Sequence, residues 1–306
     1  GAALLAGRVR GAVVGARGFA DSRVEGAAFP RRLVDPAGVA RALPRPPARV
    51  VSTYLACEEN LAALVPVERV VGISVYADDP SASNCLGVYP ARVARLRFDP
   101  EQVLALEPDL VCISGYNEVE SVRILAAAGL PLLRQSRIAS FAELTAGLRL
   151  LGAALGADAR AAALAGEVDA ALADVDRRLR GARPVRVLYY DPLGYTMGAG
   201  TVLDEILERA GGRNVAAEIG LRGPGRLGLE ALFALEPDAI VVPRYADVMP
   251  ALAALSGSGL WNRLPAVAAG HVHEVPGAWI NTESHHAARG LARVARLLHP
   301  EAFPPA

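Results

Sequence analysis

A short pattern of apolar and polar positions occurs twice in the chain and predicts its organisation. The first copy runs from Glu101 to Val111, and the second runs from Glu230 to Val241. In each copy, apolar residues at helical spacing precede a Glu-Pro-Asp sequence, and an apolar run follows it. Proline ends a helix, and a run that is apolar on both faces is typical of a buried strand. The pattern predicts a helix, a turn and a strand in each of two similarly built lobes. The alternative is a helix-to-strand join of the kind common in α/β proteins.

Alternating strands and helices are predicted around the first copy. The strands are expected at 49–52, 69–74, 110–114 and 130–134, and the helices at 58–64, 119–128 and 141–155. A hairpin around the Asp-Pro-Ala-Gly turn at 35–38 precedes them. A loop from Val75 to Arg97 is long enough to be functional. This alternation builds a parallel sheet with helices on both faces.

The second half repeats the scheme after a long helix. Asp158 can cap that helix, Gly181 and Pro184 end it, and few glycines interrupt it. It is therefore expected to be a rigid strut. The strands that follow are expected at 185–190 and 271–275, and the helices at 201–210 and in a final stretch that ends at 298. The glycines at 198 and 200 do not complete a phosphate-binding fingerprint.

Composition narrows the class of protein. The chain has 306 residues, a hydrophobic content of 52%, and 32 basic against 32 acidic residues. This length supports two domains with real cores. The balanced charge argues against a nucleic-acid partner, because phosphate binding needs a concentrated basic face. No stretch of the sequence approaches the roughly 18 uninterrupted apolar residues that a membrane helix needs.

The cysteines are Cys57, Cys85 and Cys112. An odd count excludes a fully paired disulfide framework, and their spacing does not suggest zinc. Cys112 lies inside a predicted strand and is expected in the core. Cys57 and Cys85 lie in loop or cap positions of the same half, so a single disulfide between them remains open.

The order of these motifs resembles that of a known family. The motifs in sequence order are Arg49–Ser52, Glu59, Val70–Ser74, the first repeat, the long helix, Gly200-Thr201, Ala210–Asn214, the second repeat and Leu297–Pro300. From residue 29 to residue 300, this order is similar to that of the helical-backbone class of ABC-importer substrate-binding proteins. Members of that class carry cobalamin, haem and ferric siderophores. The resemblance implies an α/β fold of two Rossmann-like lobes joined by one long rigid helix, with a ligand cleft between the lobes.

The resemblance also implies a division of the chain. We expect an N-terminal lobe with its leading hairpin at 29–156, an interlobe helix at 157–182 and a C-terminal lobe at 183–306. Residues 1–28 remain unassigned, and they could include the tail of an export segment. The expected location is periplasmic or otherwise extracytoplasmic, with a membrane anchor as an open alternative. The expected partners are a permease in the inner membrane and a small-molecule chelate, and the protein is expected to be a monomer.

Candidate ligand residues follow predicted strands, because α/β proteins bind molecules at the carboxyl ends of their strands. Tyr76 and Tyr195 match positions that contact ligand in the family, and Trp279, followed by Asn281, falls at a similar place in the last loop. Further tyrosines are added because they lie in other loops of this kind: Tyr54, Tyr116 and Tyr245. Some of these tyrosines could instead pack at a sheet edge.

The identity of the ligand stays open at this point. Positions near Arg95, Ser114 and Pro224, which hold tryptophan in the cobalamin binders, are not aromatic here. The resemblance therefore implies a transported corrinoid, haem or ferric chelate without choosing among them. It implies no cofactor of the protein's own.

Histidines and arginines bear on the choice of ligand. Tyrosine or histidine can ligate haem iron, and His285 and His286 stand at a predicted helix start that faces the rim. All five histidines lie in the second half, so a bare-cation site shared between the lobes is not expected. The arginines that could meet the carboxylates of an anionic chelate are Arg95, Arg97, Arg222, Arg226 and Arg244.

The repeat also suggests where a permease would dock. In the cobalamin-binding members, one surface glutamate on each lobe pairs with arginines of the permease, and the matching positions here are Glu101 and Glu230. Two carboxylates at equivalent helix starts, one on each lobe, would fix the orientation of a partner. The alternative is that both glutamates only stabilise their helix N-termini.

A two-lobed α/β enzyme that acts on a small molecule in the cleft is the alternative function. Asp191, Glu283 and His285 could do acid-base work. The sequence has no nucleophile elbow, no zinc-protease motif and no nucleotide loop. We therefore expect binding rather than catalysis, with no catalytic residues.

Overall fold

The computed structural model describes residues 22–35, 38–115, 117–135, 138–245 and 249–303. Over these residues the chain forms two lobes, each built around a parallel sheet with helices on its faces. This arrangement confirms the predicted α/β class. None of the helices in the described ranges has both the length and the apolar character needed to cross a membrane.

An antiparallel sheet precedes the first lobe's parallel sheet. Its strands are β1 (Arg23–Glu25), β2 (Arg31–Val34) and β3 (Ala40–Leu43). The pair β2 and β3 confirms the predicted hairpin, although residues 36 and 37 of its turn lie outside the described residues. The sequence did not predict β1, which pairs with the other edge of β2.

The first lobe surrounds a parallel sheet with the strand order β6-β5-β4-β7-β8. Its strands are β4 (Val50–Ser52), β5 (Val70–Ser74), β6 (Ala94–Leu96), β7 (Leu110–Ser114) and β8 (Leu132–Gln135). Its helices are α1 (Leu55–Leu64), α2 (Pro100–Ala105), α3 (Val119–Ala127) and α4 (Phe141–Leu155). Apolar side chains of the central strands pack against these helices on both faces of the sheet.

Two differences from the predicted elements have physical causes. Helix α1 begins at Leu55, earlier than predicted. The side chain of its N-cap residue, Tyr54, makes no capping hydrogen bond, so the sequence carries no capping signal at this start. Strand β6 lies inside the predicted loop at 75–97. A short edge strand that contains an arginine gives no apolar run, so the pattern could not show it.

The second lobe surrounds a parallel sheet with the strand order β11-β9-β13-β14, and β10 and β12 form a separate antiparallel ribbon. Its strands are β9 (Val185–Tyr189), β10 (Tyr195–Met197), β11 (Gly212–Asn214), β12 (Pro224–Arg226), β13 (Ala239–Arg244) and β14 (Val272–Pro276). The linking helix and the helices of this lobe are α5 (Asp158–Arg178), α6 (Val202–Arg209), α7 (Val215–Glu218), α8 (Leu229–Leu235), α9 (Met249–Ser256), α10 (Pro265–Ala268), α11 (Gly277–Ile280) and α12 (Ala287–Leu298). The ribbon was not predicted, because its strands are short.

The linking helix α5 is part of both hydrophobic cores. Ala161, near its start, packs in the first core with Leu151 of α4. Val168, further along, packs in the second core. Helices α4 and α5 approach closely at Gly152, where an added Cβ would lie 2.3 Å from the Cβ of Ala161. The helix therefore joins the lobes through packing as well as through the chain.

Helix α4 is shared between the lobes in the same way. Its Phe141, Leu144 and Leu148 are buried in the second core, although the strand that precedes it belongs to the first sheet. The backbone N–H of Phe141 donates a 2.7 Å hydrogen bond to the carboxylate of Glu205 on α6. Two consecutive helices thus belong to both lobes.

Both copies of the repeated pattern fold alike, which confirms the predicted helix, turn and strand. In each copy the glutamate before the proline has a φ of 44°. The aspartates that follow accept backbone hydrogen bonds at the start of a neighbouring strand. Asp109 accepts from the N–H of Arg49 at 2.8 Å, and Asp238 accepts from the N–H of Arg186 at 3.1 Å. The Pro-Asp turn therefore aligns β4 with β7 in the first lobe and β9 with β13 in the second.

A buried carboxyl group lies within the first lobe, on α1. The side chain of Glu58 accepts hydrogen bonds from the backbone N–H of Ser74 at 2.7 Å and from its hydroxyl at 2.8 Å. Burial disfavours the charged form and raises the pKa of Glu58 from 4.5 to about 8, despite these hydrogen bonds. The folded protein therefore holds a proton here at neutral pH, whereas the unfolded chain does not.

Glu58→Gln should change how stability depends on pH. Between pH 4.5 and about 8 the folded state of the wild type binds one more proton than the unfolded state, so its stability falls as pH rises. The slope is at most about 1.4 kcal/mol for each pH unit. The glutamine variant lacks this loss, so it should gain stability relative to the wild type from pH 5 to pH 8 in urea-unfolding titrations. A difference between the two proteins that stays constant over this range would contradict the assignment.

Candidate ligand-binding site

Loops at the carboxyl ends of both sheets face each other across the lobes. Tyr54 follows β4 and Tyr76 follows β5, while Tyr245 follows β13. Glu283 of the second lobe lies close enough to Tyr54 to contribute to its pKa, and Asp79 of the first lobe does the same for Tyr245. The carboxyl ends of the strands therefore bound a common cleft, as expected for this fold.

On the first lobe, the two predicted ligand tyrosines that the structure describes differ in their surroundings. The hydroxyl of Tyr54 donates to the side-chain oxygen of Gln135 at the end of β8. Burial raises the pKa of Tyr54 well above its usual value, and the nearby Cys57 adds to the shift. Tyr76, in a 3₁₀ turn after β5, is 62% exposed. The third predicted tyrosine of this lobe, Tyr116, lies outside the described residues.

The ribbon of the second lobe presents an exposed aromatic ring. Tyr195 on β10 is directly opposite Arg226 on β12 and is 43% exposed. The guanidinium carbon of Arg226 lies 4.8 Å from the centre of the tyrosine ring, and its Nη2 donates to the carbonyl oxygen of Leu193 at 3.0 Å. The arginine is thus stacked on the ring and held there by the backbone.

Asn281 is the centre of a polar group on the second lobe. Its side-chain amide donates to the hydroxyl of Tyr189 at 2.9 Å and to the hydroxyl of Tyr245. Burial raises the pKa of Tyr245 to about 12. The ring of Tyr245 lies against Gly277, where an added Cβ would be 1.9 Å from a ring carbon. The structure thus brings together Asn281 and Tyr245, which the sequence predicted, with Tyr189, which it predicted only as a strand residue.

A cavity of about 140 Å³ lies between the lobes. Most of its lining comes from the second lobe, including Met197, Thr201, Asn281 and Glu283, whereas Ile138 lies in the segment that joins β8 of the first sheet to α4. Of these residues the sequence named only Asn281 as a ligand contact, and Glu283 only in the enzyme alternative. The volume is below the roughly 300 Å³ of a typical small-molecule pocket, so a large ligand must also use the rims of the cleft.

Trp279 and His285 are on either side of Asn281 along the chain. Trp279 is half-buried in α11, and its carbonyl oxygen lies close to Gly290 of α12. His285 Nδ1 lies 2.8 Å from the side-chain oxygen of Asn60 on α1, so it contacts the first lobe. Burial lowers the pKa of His285 to about 4, which keeps its imidazole neutral at neutral pH.

The first candidate arginine, Arg95, is engaged by its own loop. Its guanidinium binds both carboxylate oxygens of Asp78, at 2.7 and 3.0 Å, and the carbonyl oxygens of Tyr89 and Val93. These bonds fold the segment between β5 and β6 against the lobe. Another candidate arginine, Arg226, lies beside the predicted ligand residue Tyr195.

The three cysteines form no disulfide bond in the structure. Cys57, Cys85 and Cys112 are all buried and free, so the open alternative of a Cys57–Cys85 disulfide is not present. Within the described ranges, no group of three His, Cys, Asp or Glu side chains is arranged to hold a metal ion.

Both predicted docking glutamates are exposed at helix starts. Glu101 is in the first turn of α2, where its backbone N–H donates to the N-cap Asp99 at 2.9 Å. Glu230 is in the first turn of α8, which begins after Gly228 without a side-chain cap. The two positions are equivalent in the two lobes, because α2 and α8 belong to the two copies of the repeat.

The chain is similar over most of its length to proteins named for binding cobalamin or a transporter substrate. It is 29% identical over 278 residues to the cobalamin-binding protein of Halobacterium salinarum, which covers 89% of this chain and 74% of the relative. It is 25% identical over 284 residues to an uncharacterized ABC transporter substrate-binding lipoprotein, YvrC, of Bacillus subtilis, covering 90% of this chain and 87% of the relative.

The chain is also similar in fold to a solved structure of a periplasmic binding protein. The periplasmic haem-binding protein RhuT of Roseiflexus sp. RS-1, in its apo form, superimposes with a TM-score of 0.70 at 25% identity, covering 83% of this chain and 98% of RhuT. The family model described as periplasmic binding protein matches residues 50–278. This match spans both sheets and the helix between them, and the chain therefore belongs to the periplasmic binding protein family.

Proposed function

We propose that this protein is the substrate-binding component of an ABC importer. It captures a metal chelate or corrinoid, namely cobalamin, haem or a ferric siderophore, between its lobes and delivers it to a permease in the inner membrane. The observation that carries the proposal is the cavity lined by the second lobe and by Ile138, which follows the last strand of the first sheet. Such a site would take one ligand per chain.

Aromatic groups around the cavity support a large, flat ligand. Tyr76 on one rim and Tyr195 on the other are both exposed, and the guanidinium of Arg226 covers one face of the Tyr195 ring. Aromatic faces stack on conjugated rings, and a guanidinium pairs with carboxylates. Cobalamin and haem carry such rings, and these are the ligands named for the Halobacterium and Roseiflexus relatives.

Binding rather than catalysis is the role that fits the site. One relative is named a cobalamin-binding protein, and another is named a substrate-binding lipoprotein of an ABC transporter. In the enzyme alternative His285 and Asp191 would act on a substrate in the cavity, but neither is among the residues that line it. The neutral amide and hydroxyl groups around Asn281 suit recognition of a ligand that leaves unchanged.

The proposed location is extracytoplasmic, and the proposed partner is a membrane permease. The family name and the lipoprotein from Bacillus subtilis support both points. Glu101 and Glu230 are proposed to dock the two lobes onto the permease, because they are exposed at equivalent positions of the repeat. The protein is proposed to act as a monomer, in which these two carboxylates fix its orientation.

An absorbance titration tests the ligand class. Purified, ligand-free protein is titrated separately with haem, cobalamin and a panel of ferric siderophores. We expect one of them to give a saturating shift at one ligand per chain, because the proposed site is shared by the two lobes of one chain. Circular dichroism controls for folding. If a folded protein binds none of these compounds, the proposed ligand class is wrong.

Asn281→Ala should weaken binding of the chelate found in that titration. The amide links two tyrosine hydroxyls and lines the cavity, so its loss should lower affinity by about tenfold. The matched control is Asn262→Ala, since that amide donates to the carbonyl oxygen of Ser256 and does not line the cavity. Equal affinities for the two variants would remove Asn281 from the ligand site.

Glu101→Ala combined with Glu230→Ala should abolish uptake without changing ligand affinity. The two carboxylates lie on helix starts away from the cavity lining, so their loss affects docking alone. Uptake is measured with the permease in proteoliposomes, and affinity by titration. A double variant at two other exposed glutamates, Glu120 and Glu274, is the control. A large loss of affinity in the Glu101 and Glu230 variant would overturn this division of roles.

A further inference from the structure

A buried polar contact joins the two lobes beneath the cavity. On the first lobe it consists of Glu59 and Asn60 of α1 together with Asn84, and on the second lobe it consists of residues 278–285. We call this contact the interlobe seam. It is separate from the hydrophobic packing of α4 and α5.

The carboxylate of Glu59 is the centre of the seam, and its two oxygens face different lobes. Oε1 accepts from the backbone N–H of Asn84 and from its side-chain amide, both at 2.9 Å. Oε2 accepts from the hydroxyl of Thr282 at 2.7 Å and from the hydroxyl of Ser284. Glu59 is 1% exposed and Ser284 is 0% exposed, so water does not replace these donors. One side chain thus satisfies polar groups of both lobes.

Three further hydrogen bonds join the two lobes beside those of Glu59. The side-chain amide of Asn84 also donates to the carbonyl oxygen of Ala278 at 2.6 Å. The side-chain oxygen of Asn60 accepts from the backbone N–H of His285 at 3.3 Å and contacts its Nδ1 at 2.8 Å. Both ends of the 278–285 segment are therefore tied to the first lobe.

The segment held in this way carries much of the candidate ligand site. Trp279, Asn281 and Glu283 lie between the tied residues, and the last two line the cavity. None of the hydrogen bonds of the seam involves a residue of the cavity lining other than Thr282. The seam can therefore set the place of the segment without itself occupying the space for a ligand.

We propose that Glu59 is a positioning residue that holds the 278–285 segment against the first lobe, and so fixes the spacing of the lobes and the placement of Asn281. The proposal about the lobes stands on the hydrogen bonds of the seam, whereas its consequence for the ligand rests on the proposed function. A carboxylate suits this place because it has an acceptor oxygen on each side. It also carries no donor hydrogen that would need an acceptor.

Glu59→Leu removes both acceptors while keeping an apolar side chain of similar size. Glu59→Gln should largely retain the hydrogen bonds of the seam. The carbonyl oxygen of the glutamine can still face Asn84, whose groups only donate, and its amide can donate to the hydroxyls of Thr282 and Ser284, which also accept. A second variant, Thr282→Val with Ser284→Ala, removes the donors on the other side and leaves α1 unchanged.

Hydrogen exchange of the ligand-free protein tests the positioning role. In Glu59→Leu, and in the variant at Thr282 and Ser284, peptides covering 278–290 should exchange faster by about tenfold or more, while the central strands of both sheets stay protected. Glu59→Gln should exchange like the wild type. Glu58→Gln is the matched control, because Glu58 is buried one residue away and accepts from Ser74 within the first lobe.

Unchanged exchange of 278–290 in both disrupting variants would overturn the positioning role. If Glu59→Leu does not fold, the exchange of 278–290 in the variant at Thr282 and Ser284 tests the positioning role by itself. Combining the two disrupting changes should add little to either one, since they break the same contact. Full additivity of the two effects would show that Glu59 and the hydroxyls act separately, against the proposal.

Ligand affinity is the second measurement, with haem as the probe. Where the wild type binds haem, the disrupting variants should bind about tenfold more weakly, and Glu59→Gln should bind like the wild type. If both disrupting variants bind haem with wild-type affinity, the seam does not control the ligand site. A wild type that binds no haem, cobalamin or siderophore would defeat the proposed function, while the exchange result would still decide the role of Glu59.

Discussion

The packing of α4 and α5 into both hydrophobic cores is the constraint on which the rest of the structure depends. Phe141 and Leu148 of α4 are buried in the second core, while Leu151 of the same helix is buried in the first. Moving one lobe far from the other would expose apolar surface from one of the two cores. Because each buried large side chain is worth about 1.5–3 kcal/mol, this sharing favours a narrow range of lobe positions. The predicted rigid strut is thus rigid because it is packed, and not only because it is helical.

The polar groups under the cleft follow from the same arrangement. Glu59 of α1 is buried where the second lobe meets the first, and Glu58 is buried beside it within the first lobe. Glu58 meets donors of its own lobe alone, and burial shifts its pKa to about 8. Glu59 meets donors from both lobes. Adjacent carboxyl groups on one helix therefore serve different purposes, and their hydrogen-bond partners decide which.

The sequence predicted what depends on local pattern, and it missed what depends on tertiary contacts. The repeat and α4 were predicted correctly, because apolar periodicity and the Pro-Asp turn are local signals. The ribbon of β10 and β12 and the edge strand β6 are too short to give a pattern. For the candidate site, the sequence located the loops, since they follow strands. It could not show that Tyr189 reaches Asn281, or that Glu59 reaches Ser284, because these contacts join segments that are distant along the chain.

The size of the cavity relates this rigidity to the proposed ligand. A space of about 140 Å³ is too small to enclose a corrinoid or haem, and the shared helices limit how far the lobes can separate. Most of such a ligand would therefore lie at the rims, where Tyr76 and the Tyr195–Arg226 pair are exposed. The cavity would receive only one edge of the ligand. Specificity would then come from the rims, and the segment that carries Asn281 would set how deeply the ligand enters.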